Sequence, residues 1–215
     1  MNYEFIIFDM DGLIFDTEKM YYDSWFLVNE DYGFSFDMEK RKILSGQNDK
    51  NIHDYIAKEI GSYQKARDLR SRLKNYRNEF FMTYEDSLKK EGLDDLLAYI
   101  KENDLKACVA SSNSRQRISF LLEKEGIGEY FDFIISGEEF EKSKPNPEIF
   151  LKAYEKSGFA KDKCLILEDS YNGYLAAKAS KIDYRIIHDT SFERDFDAEY
   201  EADSLFDIID LLKSK

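Results

Sequence analysis

In FIIFDMDGLIFDTE, residues 5–18, an apolar run ends on two aspartates, Asp9 and Asp11, with a single residue between them. Carboxylates this close raise one another's pKa or call for a cation. The plainest reading is an acidic turn after a strand, with Gly12 permitting a tight backbone. An EF-hand calcium loop is excluded, because Leu13 and Phe15 stand where ligands are required. A glycosidase pair fits poorly, since such carboxylates come from distant strands and stand about 5 to 9.5 Å apart across a sugar. Magnesium resolves the repulsion best: it takes one or two carboxylates, keeps several waters and completes its shell with a substrate phosphate. Asp9 and the distant Asp169 would supply the carboxylates, and the backbone carbonyl of Asp11 another oxygen. The Asp11 side chain is then left for proton transfer, and Asp9 can attack phosphorus to form an aspartyl-phosphate.

Groups so far apart in the chain need a scaffold to gather them. Five short apolar runs, at 4–9, 106–110, 131–136, 163–169 and 184–188, alternate after the first with helical patterns such as RQRISFLLEKEGI and NPEIFLKAYEKSG. This alternation predicts an α/β chain, a Rossmann-like parallel sheet with helices on both faces. Between the first two runs the pattern changes. EKMYYDSWFLVNEDYG, KNIHDYIAKEIG and ARDLRSRLKNYRNEFFMTYED read as amphipathic helices with no strand among them. The expectation is a core formed by residues 1–15 and 88–215, with a helical-bundle cap inserted at 16–87. SLFDIIDLLKS closes the chain as a short helix.

Open parallel sheets bind ligands at the carboxyl edge of their strands. Asp9 and Asp11 follow the first run, Ser111, Ser112 and Asn113 the second; Lys144 lies beyond the third, and Glu168 and Asp169 close the fourth. Four strands therefore deliver phosphate- or metal-competent groups to one edge. The only two prolines, Pro145 and Pro147, flank Asn146 directly after Lys144. They stiffen the backbone that aims the lysine, and Asn146 is suited to cap a helix with Pro147 at its first position.

The 215 residues carry a net charge of −13, which argues against a nucleic-acid partner. That charge also repels anionic substrates, so a phosphate site needs local cations. No apolar run approaches the roughly 20 residues that span a bilayer, and the first residues show neither a basic leader nor a cleavage site. Cys108 and Cys164 sit in strand-like runs and read as free buried thiols of a reducing compartment. The expectation is a cytoplasmic monomer.

FDMDGLIFDTE, VASSN, SKPNP and ILEDS occur in this order across the chain. Together they resemble the four motifs of the haloacid dehalogenase superfamily, especially the branch of β-phosphoglucomutase and small sugar-phosphate phosphatases. The resemblance implies a magnesium-dependent phosphatase of a small phosphorylated metabolite. Asp9 would be the nucleophile, and Asp11 the acid and base. Ser111, with the N–H groups after it at Ser112 and Asn113, and Lys144 would bind phosphate. Asp9, Asp11, Asp169 and Glu168 would hold magnesium. The second aspartate favours phosphate over carbon–halogen chemistry, because the name-giving dehalogenases lack it.

Two departures bear on substrate. Tyr21 stands where relatives carry a histidine, and in LSGQNDKNIHDYI Asp49 replaces the arginine that grips a mutase's second phosphate, with Lys50 beside it. Simple hydrolysis is therefore preferred to hexose-phosphate mutase activity, with Arg115 a potential substitute cation. A non-catalytic regulatory protein is the remote alternative, since no motif position is broken. Thr17, Tyr21, Gln47, Lys50 and Arg115 are the candidate substrate and cap residues. His53 and His188 read as surface or packing residues, YYDSWF (21–26) as a packing face, and FERDFDAEYEAD (192–203) as a solvated segment.

Overall fold

The computed structural model describes residues 3–27, 32–188 and 196–214. Six parallel strands form one sheet: β1 (Phe5–Phe8), β2 (Lys106–Ser111), β3 (Phe133–Ser136), β4 (Cys164–Glu168), β5 (Asp183–Ile187) and β6 (Glu201–Ala202). Their order is β3-β2-β1-β4-β5-β6. The unbroken apolar runs are explained by the pleat, which sends alternate side chains to opposite, equally covered faces. Ile6 and Phe8 enter one core with Leu97, Leu121 and Ile208. These come from α5 (Leu93–Glu102), α6 (Arg115–Lys124) and α9 (Leu205–Lys213). Phe5 and Ile7 enter the other with Phe150 and Ala177, from α7 (Glu148–Ser157) and α8 (Tyr171–Ser180).

Residues between β1 and β2 form α1 (Glu18–Phe26), α2 (Met38–Leu44), α3 (Asp49–Ile60) and α4 (Tyr63–Thr83) before α5 begins. Side-chain caps start them: Asn48 accepts from Asn51 N, and Ser62 from Lys65 N. Gly61, at φ +69°, ends α3 in the left-handed region. This insertion has a core of its own, in which Trp25 stacks on Phe36 at 4.6 Å against Leu69 and Leu73. The buried stripe of α4 runs Ala66, Leu69, Leu73, Arg77, Phe81, so one arginine sits in an otherwise apolar row. Among the described residues no helix is long and apolar enough to cross a membrane.

Some expectations need correction. Residues 192–195 of the acidic run lie outside the described residues, but the remainder is not simply solvated. Glu201–Ala202 pairs with β5, and Phe196 stacks on Tyr174 at 5.8 Å. Aromatic anchors hold a short edge strand that charge alone does not suggest. The helix after the prolines starts one residue late, with Pro147 at the cap position and Asn146 Oδ1 accepting from Glu148 N at 3.0 Å. His53 meets the Tyr63 ring, and His188 contacts Glu201 and Phe196. Both cysteines are free and buried.

Because Leu73 is fully buried in the insertion's core, Leu73→Ala is expected to cost about 2–5 kcal/mol. Urea unfolding followed by tryptophan fluorescence measures it, since the chain's single Trp, Trp25, lies in that core.

Candidate active site

The strand order reverses at β1, which has β2 on one side and β4 on the other. A crevice opens beyond such a switch point. Asp9 continues the β1 ladder into it, its N–H donating to Leu167 O at 2.9 Å. Its carboxylate Oδ1 accepts from Lys144 Nζ at 2.5 Å, and the same ammonium donates to Glu168 Oε1 at 2.7 Å. Lys144 and Glu168 are 1% and 0% exposed, so this is a buried three-charge chain. Glu168 Oε2 is filled by the N–H groups of Asp169 (2.7 Å) and Ser170 (2.6 Å). Oxygens of Asp9, Glu168 and Asp169 lie within 4.8 Å of one another, an all-oxygen set.

Electrostatics follow from this geometry. Burial pushes the Asp9 carboxyl up to about 8; Lys144 opposes the rise, while Glu168 and Asp11 add to it. Burial works against the Lys144 ammonium, but Asp9 and Glu168 outweigh it and hold its pKa above the usual lysine value. Burial also raises Asp11, against the hydrogen bonds from Thr17 and Asn113.

Asp11 does not share the acidic cluster with its side chain. Thr17 Oγ1 donates to Oδ1 at 3.0 Å and Asn113 Nδ2 donates to Oδ2. Thr17, read as a substrate contact, is instead fully buried behind Asp11. Asn113, whose backbone N–H is the expected phosphate ligand, donates that N–H to Ser111 Oγ at 3.2 Å and its side-chain amide to Asp11 and Ser111 Oγ. Ser111 is buried at the end of β2, and the Ser112 hydroxyl donates to Gly46 O of the insertion at 2.7 Å.

Above the sheet edge lies a cavity of about 460 Å³, lined by the core edge and by the insertion. Tyr21, Gln47 and Lys50 line it, as do Asp9, Asp11, Ser111, Ser112, Asn113 and Asp169. Gln47 Oε1 accepts from Asn51 (2.9 Å) and Ser143 (2.5 Å). Arg115 does not reach the cavity: it pairs with Glu139 at 2.6 Å on the outside, whereas Arg117, two residues on, does line it. The aromatic segment serves twice, since Tyr22 and Trp25 pack the insertion and also wall the cavity.

Sequence reasoning named Lys50 and Gly12 but missed the cavity's arginines and the room that glycines make for carboxylates. Asp49 does not leave the cavity short of positive charge; it accepts from Arg70 of α4. Arg70, Lys74 and Arg77 lie on one face of α4, and with Arg41 and Arg117 they line the space. The spacing 70, 74, 77 in RDLRSRLKNYR was the available signal. Two glycines make room for carboxylates. A Cβ on Gly12 (φ +77°) would meet Asp169 Oδ2 at 2.0 Å, and one on Gly173 would meet Glu168 Oε1 at 1.7 Å.

Gly173 lies inside α8, where Gly→Ala ordinarily stabilises a helix by about 0.5–1 kcal/mol. Here the sign reverses. Gly173→Ala should destabilise by about 1–3 kcal/mol through overpacking, read as a lowered urea midpoint; a raised midpoint would contradict the placement of Glu168.

Comparisons with known proteins bear on the family and the fold. A description of haloacid dehalogenase-like hydrolases matches residues 6–187. The phosphorylated carbohydrates phosphatase of Thermotoga maritima is 27% identical over 189 residues, covering 86% of each chain. The fructose-1-phosphate phosphatase of Escherichia coli is 26% identical, covering 85% of this chain and 95% of that one. The crystal structure of β-phosphoglucomutase from Clostridium difficile shares the fold, with a TM-score of 0.79 at 23% identity over 99% of this chain and 93% of its own. Since the match runs from β1 through β5, it takes in every strand that builds the site, and the chain belongs to the haloacid dehalogenase-like hydrolase family.

Proposed function

We propose that this chain is a magnesium-dependent phosphatase that hydrolyses a small phosphorylated metabolite, a sugar phosphate or similar monoester, through an aspartyl-phosphate. The observation that carries the reading is the buried Asp9–Lys144–Glu168 chain beside Asp169 at the sheet's switch point. The names of the phosphatase relatives support it.

The buried oxygen-only cluster fits magnesium, a hard cation that prefers carboxylates and phosphate. Glu168 already accepts from Lys144 and two backbone N–H groups, which leaves Asp9 and Asp169 as the carboxylates to hold the ion. The Asp11 carboxylate is likewise engaged, so Asp11 would contribute its backbone carbonyl. When bound, the ion neutralises phosphate charge and orients the reacting oxygens.

The chain's own groups do the rest. Asp9 Oδ2, which takes no hydrogen bond among the described residues, attacks phosphorus in line with the leaving oxygen, while Lys144 holds Oδ1. Asp11, oriented by Thr17 and Asn113, protonates the leaving oxygen. It then takes a proton from the water that cleaves the aspartyl-phosphate. Ser111 and the N–H of Ser112 hold the transferring oxygens, and positioning of this kind dominates phosphoryl transfer. Residues 1–15 and 88–215 form the catalytic unit, and 16–87 form the cap that excludes water and selects substrate. The buried free thiols support a cytoplasmic setting, and a monomer suffices because one chain supplies every group named.

Mutase activity is the second reading, favoured by the cavity's arginines, which offer the anion grip that Asp49 does not. Isomeric products formed with a bisphosphate activator would establish it.

Inorganic phosphate release from a phosphomonoester panel should require magnesium and stop with EDTA. Asp9→Ala should lower turnover by roughly 10³-fold or more. Activity that persists in Asp9→Ala protein would overturn the mechanism.

A further inference from the structure

We propose that Asn48, with Gln47 beside it, reads an uncharged acceptor oxygen on the substrate's body, a hydroxyl, ring or carbonyl oxygen, through side-chain amide donors. This rests on the phosphatase reading and narrows its substrate class. Asn48 caps the twelve-residue helix α3, its Oδ1 accepting from Asn51 N at 2.9 Å. A backbone N–H can only donate, so this bond fixes which end of the amide faces the helix. The NH2 group is left to the cavity that Asn48 lines. It has no acceptor among the described residues, although Asn48 is only 8% exposed.

Gln47 repeats the pattern. Its Oε1 accepts from Asn51 Nδ2 at 2.9 Å and from Ser143 Oγ at 2.5 Å, which fills both lone pairs. Its NH2 group also has no acceptor among the described residues, and Gln47 lines the same cavity. The charged residues next in the chain are engaged elsewhere, Asp49 with Arg70 and Lys50 with Asp54 at 2.9 Å. Folded proteins rarely leave buried donors unmade, so two neighbouring ones point to a ligand that completes them. A ligand oxygen that accepts removes the cost of the unmade bond, whereas a methylene in its place leaves it standing. Amides carry no net charge, and the group they suit is an uncharged acceptor.

The segment that carries both amides is tied to the sheet edge. Gly46 O accepts from Ser112 Oγ at 2.7 Å, and Ser45 O from Asn172 Nδ2 at 2.7 Å. Ser143, which bonds Gln47, directly precedes Lys144. Gly46 comes so close that a Cβ there (φ +74°) would meet Ser170 Oγ at 2.9 Å. The donors are therefore held in register with the groups proposed to handle the phosphoryl group, and donors fixed in advance lose little freedom on binding. The alternative is that Asn48 serves only as a helix cap.

The test separates the cap from the donor. Asn48→Ser and Asn48→Asp both keep a capping oxygen and remove the NH2 group, so their thermal melts should stay near wild type. Gln47→Glu likewise keeps an oxygen for Ser143 and Asn51. With the full chain and magnesium, kcat/KM is compared for a straight-chain polyol phosphate and an alkyl phosphate of the same length. Wild type should favour the polyol ester at least about 10-fold, and each variant should shrink that preference about 10- to 100-fold. Variants that keep the wild-type preference, or slow both esters in equal proportion, would overturn the inference. So would an ester ending in a carboxylate that wild type prefers to the polyol and Asn48→Ser does not. Calorimetric Kd ratios on Asp9→Asn protein read the same preference without turnover, and equal binding, or binding of neither ester, counts against the amide donors. Preferential binding without hydrolysis in the unmodified chain counts against the phosphatase reading alone.

Discussion

Everything at the sheet edge depends on one buried electrostatic arrangement: an ammonium shared by two carboxylates with almost no water in reach. Charges removed from water are tolerated only when each is paired and its remaining lone pairs are filled. Lys144 meets that condition for Asp9 and Glu168, and the backbone turn at Asp169 and Ser170 completes it for Glu168. The arrangement in turn constrains residues with no charge at all. Gly173 has no side chain because the Glu168 carboxylate occupies that volume, and Gly12 yields the same space to Asp169. A helix and a turn are thus shaped by where carboxylates must lie.

The second constraint is segregation of charge. The chain is strongly acidic, and its field opposes approach by a phosphate ester. Inside the cavity the balance is local: carboxylates of the core edge face guanidinium groups from α4 and α6. The overall field concerns solubility and encounter, whereas the cavity's own charges decide what stays bound. Net charge is therefore a poor guide to what the cavity contains.

The sheet was legible because burial on both faces writes continuous apolar runs, and a polar residue closing such a run marks a strand's carboxyl end. Asp9, Ser111 and Asp169 follow from that rule, whereas Lys144, well beyond the end of β3, was singled out by its prolines and the ordered motifs. Other features depend on distances that sequence does not carry. The choice between Arg115 and Arg117 is one of helical phase and requires knowing which side of α6 faces the cavity. Glu168 and Asp169 are adjacent in the chain but differ in role, since only structure reveals that Lys144 claims the first. β6 escaped because two paired residues in an acidic stretch owe their order to the aromatic contacts around Phe196 and Tyr200 rather than to a strand pattern. Arg77 occupies a core position in its helical stripe, and only its neutral neighbours distinguish it from a snorkelling surface arginine.

Cap and core are joined on both sides of the cavity, which bears on how binding becomes chemistry. At the mouth, Ser112 Oγ reaches Gly46 O, and Asn172 Nδ2 donates to Ser45 O at 2.7 Å. Near the return of the chain to the core, Lys124 Nζ binds the carbonyls of Phe81 and Tyr84 at 2.8 and 2.6 Å. Asn172 Nδ2 also reaches the Lys42 and Ile43 carbonyls, and Ser143 meets Gln47 and Asn51, so the mouth contacts are made by a handful of polar side chains, each worth about 1 kcal/mol. Tyr21 adds a further link, because it belongs to the insertion yet sits beside Asp11. A substrate that engages both walls would add to these links and keep Tyr21 and the aromatic wall over Asp11, the proposed acid–base group. Under the proposed reaction, water would then be excluded at the step where an aspartyl-phosphate would otherwise be exposed too early. Under that reading selection and protection would be the same event: a body that fails to bridge the walls would leave the site open, however well its phosphate fitted the edge below.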